Sequence, residues 1–391
     1  MSLLARWRAT LDRPQASYQL VVGTSAILLG FGLIMVLSAS SVHSFEVYGN
    51  SYYVFIRQLI WALLGLGAAY LVTRMPLKMI RALAVPAIVF AFATTLLTLV
   101  PGFGIEVNGN KNWIGIGQTL RFQPSEVAKL ALVLWSAQIY AGRVKVLNDP
   151  KKVLLPVAPV GFLLALIVVF QRDLGTALIL FAILGGMLWV GGLPTRLLAI
   201  LGIGLASLIA MLAIASPNRM RRLTSFLDPF ADPAGTGYQA ANGLMALASG
   251  HFWGVGLGAS QQKWGRLPEA HTDFIFAVIG EELGLFGTLV LLALFGMLAF
   301  VGTRIALRAR EPFVHFAAAG ITIWIMIQAI INIAMVLGLA PVIGIPLPLI
   351  SYGGSGLLPT LVAIGLLIRF ADLERQPAKV SPRKPRAKKG K

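Results

Sequence analysis

Carboxylates are scarce in this chain, and four of them stand in one short stretch, "LPEAHTDFIFAVIGEEL", Leu267 to Leu283. Asp273 lies where the stretch turns apolar, with Glu269 and His271 just before it and Glu281 and Glu282 about two helical turns deeper. Two chemistries fit Asp273. A carboxylate at the head of a helix meets free N–H groups and the positive end of the helix dipole, which would make it a cap. A carboxylate in a partly dehydrated cavity has a raised pKa and can take a proton as a general base. Glu281 and Glu282 suit interhelical hydrogen bonds better than catalysis.

Four other stretches offer polar groups in an apolar setting. In "FQPSEVAKL" Pro124 suits a first helical turn, which puts Glu126 and Lys129 on one face, three residues apart. They form either a local ion pair or a charged cavity wall. "QRDLGT" holds Arg172 and Asp173 in a tight turn, paired to each other or to a ligand. "NGNKNWIGIG" places Trp113 between turn signals, as a membrane-interface anchor or as a flat apolar face for a sugar ring. "IPLPLISYGGSG" is irregular backbone, tolerated at membrane depth only where it is buried or lines a cavity, and it carries the hydroxyls of Ser351, Tyr352 and Ser355. Cations accompany these stretches: Lys111, Arg121, Arg172, Arg219, Arg221, Arg222, Lys263 and Arg266. Fixed cations in such number point to an anionic ligand, phosphate-bearing above all. There is no Walker loop or dinucleotide fingerprint. The chain has no cysteine and 4 histidines, none at metal-ligand spacing, so disulfides and thiolate chemistry are excluded and no metal ligands are assigned.

The elements that must position these groups are membrane helices. Hydrophobic residues make up 57% of the 391 and charged residues 12%, far from the balance of a soluble domain. The long, nearly charge-free runs predict an all-α integral membrane protein with ten spans, at 18–41, 54–73, 80–100, 125–142, 154–171, 174–192, 196–215, 274–303, 313–340 and 355–370. Basic residues gather before the first span, between spans two and three, four and five, eight and nine, and after the tenth. The positive-inside rule then puts both termini in the cytoplasm and every polar stretch above on the outer face, including the long loop 216–273. The expected organisation is a cytoplasmic segment 1–16, a membrane domain 17–372 and a basic, disordered cytoplasmic tail 373–391. With a net charge of +18, most basic residues read as cytoplasmic loops, and the tail as an adherent of anionic lipid rather than of nucleic acid.

At these residues the sequence resembles a known family. "FQPSEVAKLAL", "RDLGT", "LPEAHTDFIFAVIGEELG" and "PLPLISYGGS", in this order over residues 17–370, are similar to the SEDS proteins, the family of FtsW, RodA and SpoVE. "RLTSFLDPFADPAGTGYQ" and "GVGLGASQQKWGRLPEAHTDFIF" resemble the division branch, FtsW, more than the elongation branch, RodA. "QRDLGT" departs from the family's commoner "PDLGT" in lacking the proline. The resemblance implies a peptidoglycan glycosyltransferase that polymerises lipid II on the outer face of the bacterial cytoplasmic membrane, at the division septum. It implies a class B penicillin-binding protein and other divisome proteins as partners. The family's essential aspartate falls on Asp273 and its charged pair on Glu126 and Lys129; its tryptophan falls on Trp113 and its DLGT aspartate on Asp173. A divalent cation, Mg or Mn, could assist the leaving pyrophosphate. Three other readings remain: an elongation polymerase, a lipid II flippase, which would need a polar path through the whole membrane, and a non-catalytic scaffold, which would tolerate Asp273→Ala.

Overall fold

The computed structural model describes residues 13, 15–107, 109–116, 120–214 and 226–375. Eleven helices of a dozen residues or more carry the described chain. They are α1 (Ala16–Tyr48), α2 (Tyr53–Arg74), α3 (Leu77–Leu97), α4 (Pro124–Ala141), α5 (Pro150–Phe170), α6 (Leu174–Val190), α7 (Thr195–Ile214), α8 (Tyr238–Ser249), α9 (Ile275–Arg308), α10 (Pro312–Val336) and α11 (Gly354–Arg375). Among the described residues 7 are long and apolar enough to cross a membrane; α6 and part of α7 are apolar but shorter. The chain is a mostly helical, multi-pass membrane protein.

It is not all-α. Residues Gly104–Val107, Asn110–Ile116 and Leu120–Phe122 form an antiparallel sheet, β1-β2-β3, between α3 and α4. The "NGNKNW" stretch is therefore a hairpin, with Gly109 at φ 81° in its turn. Its alternation is too short to read beside the long apolar runs.

Small residues set the helix contacts, as expected where lipid supplies no hydrophobic drive between helices. The α2–α11 contact is the most extensive. A Cβ on Gly365 would strike the Ala69 backbone, and one on Gly65 the Leu361 side chain. Proline and aspartate punctuate the starts: Pro124 opens α4, as its position predicts, and Asp149 and Asp173 cap α5 and α6.

Basic side chains tie one end of the bundle together. Arg304 donates to Ser17 at 3.0 Å, Arg308 pairs with Glu374 at 3.3 Å, and Arg369 donates to the Met75 carbonyl at 3.1 Å. The residues with polar chemistry lie at the opposite ends of the same helices.

Helix α9 is broken. Gly284 sits at φ 66°, ψ −165°, a conformation essentially restricted to glycine. A Cβ there would run into the backbone of Phe252 and Gly254. Gly284→Ala should lower the melting temperature in detergent, with a cost of about 1–3 kcal/mol for the backbone strain alone. A variant that melts with wild type would show that the break is not fixed.

Candidate functional site

A cavity of about 730 Å³ opens among the polar ends of the helices. Its walls are the first turns of α4 and α6, the sheet, residues 226–240, the turn before α9, and the irregular segment between α10 and α11. Glu126, Lys129, Trp113, Asp173, Glu269, Asp273 and Tyr352 all line this one space. They come from positions more than two hundred residues apart.

The floor is an ion pair at the head of α4. Lys129 Nζ lies 2.8 Å from Glu126 Oε1 and also donates to Gln328 Oε1 at 2.9 Å. Its ammonium stands 5.6 Å from the Trp324 ring centroid. Glu126 and Lys129 are 4% and 2% exposed, so their charges depend on each other and on these few partners. Glu126 Oε2 is buried and meets no hydrogen-bond donor among the described residues.

Asp173 is an anchor. Its Oδ1 accepts the Thr176 N–H at 3.0 Å, which caps α6. Its Oδ2 accepts from Thr176 Oγ1 at 2.9 Å, Asn112 Nδ2 at 2.6 Å and Gln123 Nε2 at 3.0 Å. One carboxylate thus joins α6, the sheet and the lead into α4. Arg172, at φ 67°, points to solvent and makes no wall.

Asp273 differs. The cap of α9 is Phe274, with no side-chain hydrogen bond, and no described residue donates to the Asp273 carboxylate. The helix-cap reading of Asp273 is therefore wrong. The turn before the helix supplies its own N–H acceptors: the Glu269 carbonyl takes Thr272 N at 3.1 Å and Phe274 N at 3.2 Å. Asn332 of α10 holds the Asp273 carbonyl at 2.8 Å and the Ile345 carbonyl at 2.6 Å, fixing the backbone while the carboxylate stays free. Burial, then the like charges of Glu269 and Asp173, push its pKa up to about 7. An unpartnered carboxylate titrating near neutrality, on a cavity wall, has the properties of a general base.

His271 faces away from the cavity. Its ring stacks on His43 at 5.2 Å and leans on Tyr352 at 5.5 Å, behind the wall. Burial pulls its pKa down to about 4, with Glu269 opposing and His43 adding to the shift, so the ring is neutral near pH 7. Ser351 is also structural: its Oγ accepts the Leu347 N–H at 2.7 Å, inside the turn that leads to Tyr352.

The expected cation cradle is not assembled. Lys263 is buried in an ion pair with Glu282 at 3.2 Å, Arg266 is exposed, and the Lys111 backbone N–H donates to the Gln171 carbonyl at 3.0 Å. None of the three lines the cavity. Arg219, Arg221 and Arg222 lie outside the described residues. Among the described residues Lys129 is the cavity's one cation, against Glu126, Asp173, Glu269 and Asp273. Loop charge alone does not say which way a side chain turns. Among the described residues no three carboxylate or imidazole groups converge to hold a metal ion. With four carboxylates around one ammonium and no convergent triad, the described side chains make no pre-formed Mg or Mn site.

Sequence reading missed the amides. Asn112, Gln123, Gln328 and Asn332 carry much of the hydrogen bonding around the four charged residues. Gln328 and Asn332 were visible as polar residues in an apolar span, which is itself a signal.

Comparison with known proteins follows the same residues. The FtsW/RodA/SpoVE family profile, described as cell cycle protein, matches residues 18–376. A relative from Mycobacterium tuberculosis, "Probable peptidoglycan glycosyltransferase FtsW", is 41% identical over 94% of this chain and 70% of its own. "Stage V sporulation protein E" of Bacillus subtilis is 38% identical over 91% and 97%. Among solved structures, a chain of a peptidoglycan synthase complex that coordinates polymerization and crosslinking superposes with a TM-score of 0.73 at 29% identity, over 91% of this chain and 98% of that one. The rod shape determining protein RodA of Thermus thermophilus gives a TM-score of 0.62 at 28% identity, over 91% and 97%.

Proposed function

The chain belongs to the FtsW/RodA/SpoVE family of cell cycle proteins, and from that premise we propose that it is a peptidoglycan glycosyltransferase that polymerises lipid II. The observation that carries the mechanism is the free, pKa-raised carboxylate of Asp273, facing the Glu126–Lys129 pair across one cavity. In the reaction the 4-hydroxyl of the acceptor sugar attacks the anomeric carbon of the donor chain. The new C–O bond forms as the bond to pyrophosphate breaks, and undecaprenyl pyrophosphate leaves with the electron pair. Asp273 takes the hydroxyl proton. The cavity holds the two sugars in reach of each other, and Trp113 gives one of them an apolar face.

The chain crosses the membrane ten times, by α1–α7 and α9–α11, with both termini cytoplasmic. The support is the cluster of basic residues at the end opposite the cavity. The cavity then opens to the outer face, within residues 17–372. The proposed partners are a class B penicillin-binding protein and the division machinery at the septum; the matched synthase complex, which coordinates polymerization and crosslinking, supports a crosslinking partner. A flippase would need polar residues along the whole bundle, whereas the cavity's ionisable residues sit at one end.

The test is synthesis from labelled lipid II by the purified chain with its class B partner. A ladder of glycan strands is expected. Failure of a folded, partnered protein to make any polymer would refute the reading. Residues 376–391 lie outside the described structure, and their deletion should leave glycan yield near wild type, because α11 ends at Arg375, at the end of the bundle away from the cavity. Loss of yield in a well-folded truncation would give the tail a part in synthesis.

A further inference from the structure

The break in α9 leaves a short first segment, Ile275 to Leu283, with Asp273 at its head. The helix bonds lost at Gly284 are replaced from a single run of chain. Val255 and Gly256 donate their N–H groups to the Glu281 and Glu282 carbonyls, both at 3.0 Å. Leu285 and Phe286 donate theirs to the His251 and Phe252 carbonyls at 3.0 and 3.1 Å. Side chains close the same junction. Lys263 Nζ donates to Glu282 Oε1 at 3.2 Å and to the Gly258 carbonyl at 2.6 Å. Ser38 of α1 donates to Glu282 at 2.7 Å. Glu281 accepts from Ser260 Oγ at 2.5 Å and from the Gln261 N–H at 2.9 Å. Lys263, Glu281 and Glu282 are 6%, 1% and 0% exposed, and none of them lines the cavity.

We infer that Lys263 and Glu282 are positioning residues: their buried ion pair closes residues 263–282 into a loop that holds Asp273 at its place on the cavity wall. A buried ion pair is a weak source of net stability, because desolvation offsets most of the attraction, and apolar residues would fill the space about as well. What the pair supplies is direction. An ammonium with three acceptors (Glu282, the Gly258 carbonyl and Ser38 Oγ) and a carboxylate with three donors (Lys263, Ser38 and the Ser260 N–H) set the distance between the base of the loop and the broken helix. Beyond this junction, Asp273 is held by the turn at Glu269 and by Asn332 on its carbonyl. A misplacement of about 1 Å at a reacting group can cost about a hundredfold in rate.

The inference rests on Asp273 being the base, and the test separates the two. Wild type and two variants are compared with the class B partner and labelled lipid II. Lys263→Met/Glu282→Gln removes both charges and strands neither. Ser38→Ala removes the hydroxyl that donates to Glu282 and accepts from Lys263. The double variant should keep a wild-type melting temperature and a KM for lipid II within about twofold, while turnover falls about tenfold or more. The acidic limb of its pH–rate profile should also move to lower pH, because a displaced Asp273 gains water. Glu269, Asp173, Glu126, Lys129 and Tyr352, which line the cavity with Asp273, and His271 behind the wall are intact in both variants, so the limb reports Asp273 itself. Ser38→Ala should move turnover and limb the same way by a smaller amount, and it decides the matter if the double variant does not fold. Wild-type turnover and limb in either folded variant overturn the inference, as does a loss of rate matched by an equal loss of folded protein. Wild type that makes no polymer would instead refute the proposed function.

Discussion

Asp273→Asn should fold, insert and bind its penicillin-binding partner, and make no measurable glycan. Asparagine keeps the shape but cannot accept a proton, and loss of a general base costs roughly 10²–10⁴ in rate. The structure removes the competing explanation, since Phe274 and not Asp273 occupies the cap position of α9 and no side chain caps it. Stability should move the other way. The Asp273 pKa is about 7 in the folded protein, against an ordinary 3.8. Folding therefore disfavours the ionised form, so wild type loses stability as pH rises from the unfolded value through 7. The asparagine variant has no such charge and should melt above wild type at pH 8. Asp273→Glu keeps the carboxylate but misplaces it by a methylene, and should retain partial activity at most. Normal polymerisation by the asparagine variant would move the base elsewhere, first to the free oxygen of Glu126.

The largest stability effect should come from Lys129→Met. It leaves the Glu126 carboxylate buried without its ammonium and takes one of two donors from Gln328 Oε1, which keeps Trp324 Nε1, at a cost of about 3–5 kcal/mol. That is a large part of the stability of most proteins, so little folded protein is expected. Adding Glu126→Gln removes the stranded charge and should restore the melt. Glycan yield should stay at least about tenfold below wild type, because the cavity floor has lost both its ions. Recovery of synthesis together with the melt would make the pair purely structural. These outcomes are read from detergent melts beside gels of labelled product.

The apolar runs and the charge between them made the helices legible, because period and length leave few alternatives for them. Pro124 marked the start of α4, and the four charged residues expected to meet do meet at one cavity. The sheet at residues 104–122 was not legible: its strands are short and its hairpin resembles a polar loop. Neither was the break at Gly284, where a glycine inside an apolar run looks the same whether it is helical or not. Side-chain direction was the commonest error. Lys263, Arg266, Arg172, Lys111, His271 and Ser351 lie in the right loops but do not line the cavity, because facing is set by tertiary partners such as Glu282 for Lys263 and His43 for His271. The turn sequence makes Asp173 a ligand contact or an ion-pair partner, whereas in the structure its oxygens are taken by Thr176, Asn112 and Gln123.

Catalysis turns on the proton taken by Asp273, and the rate of glycan synthesis against pH measures it most directly. Wild type should lose activity on the acid side with a midpoint about 7, set by burial and by the charges of Glu269 and Asp173. Glu269→Gln, which removes one of those charges from the rim, should shift the midpoint to lower pH while the protein still polymerises. His271 titrates at about 4 and so does not account for a limb near neutrality. A profile flat from pH 5 to 9, or a limb at the ordinary carboxylate range that ignores Glu269, would contradict the assignment of Asp273 as the base.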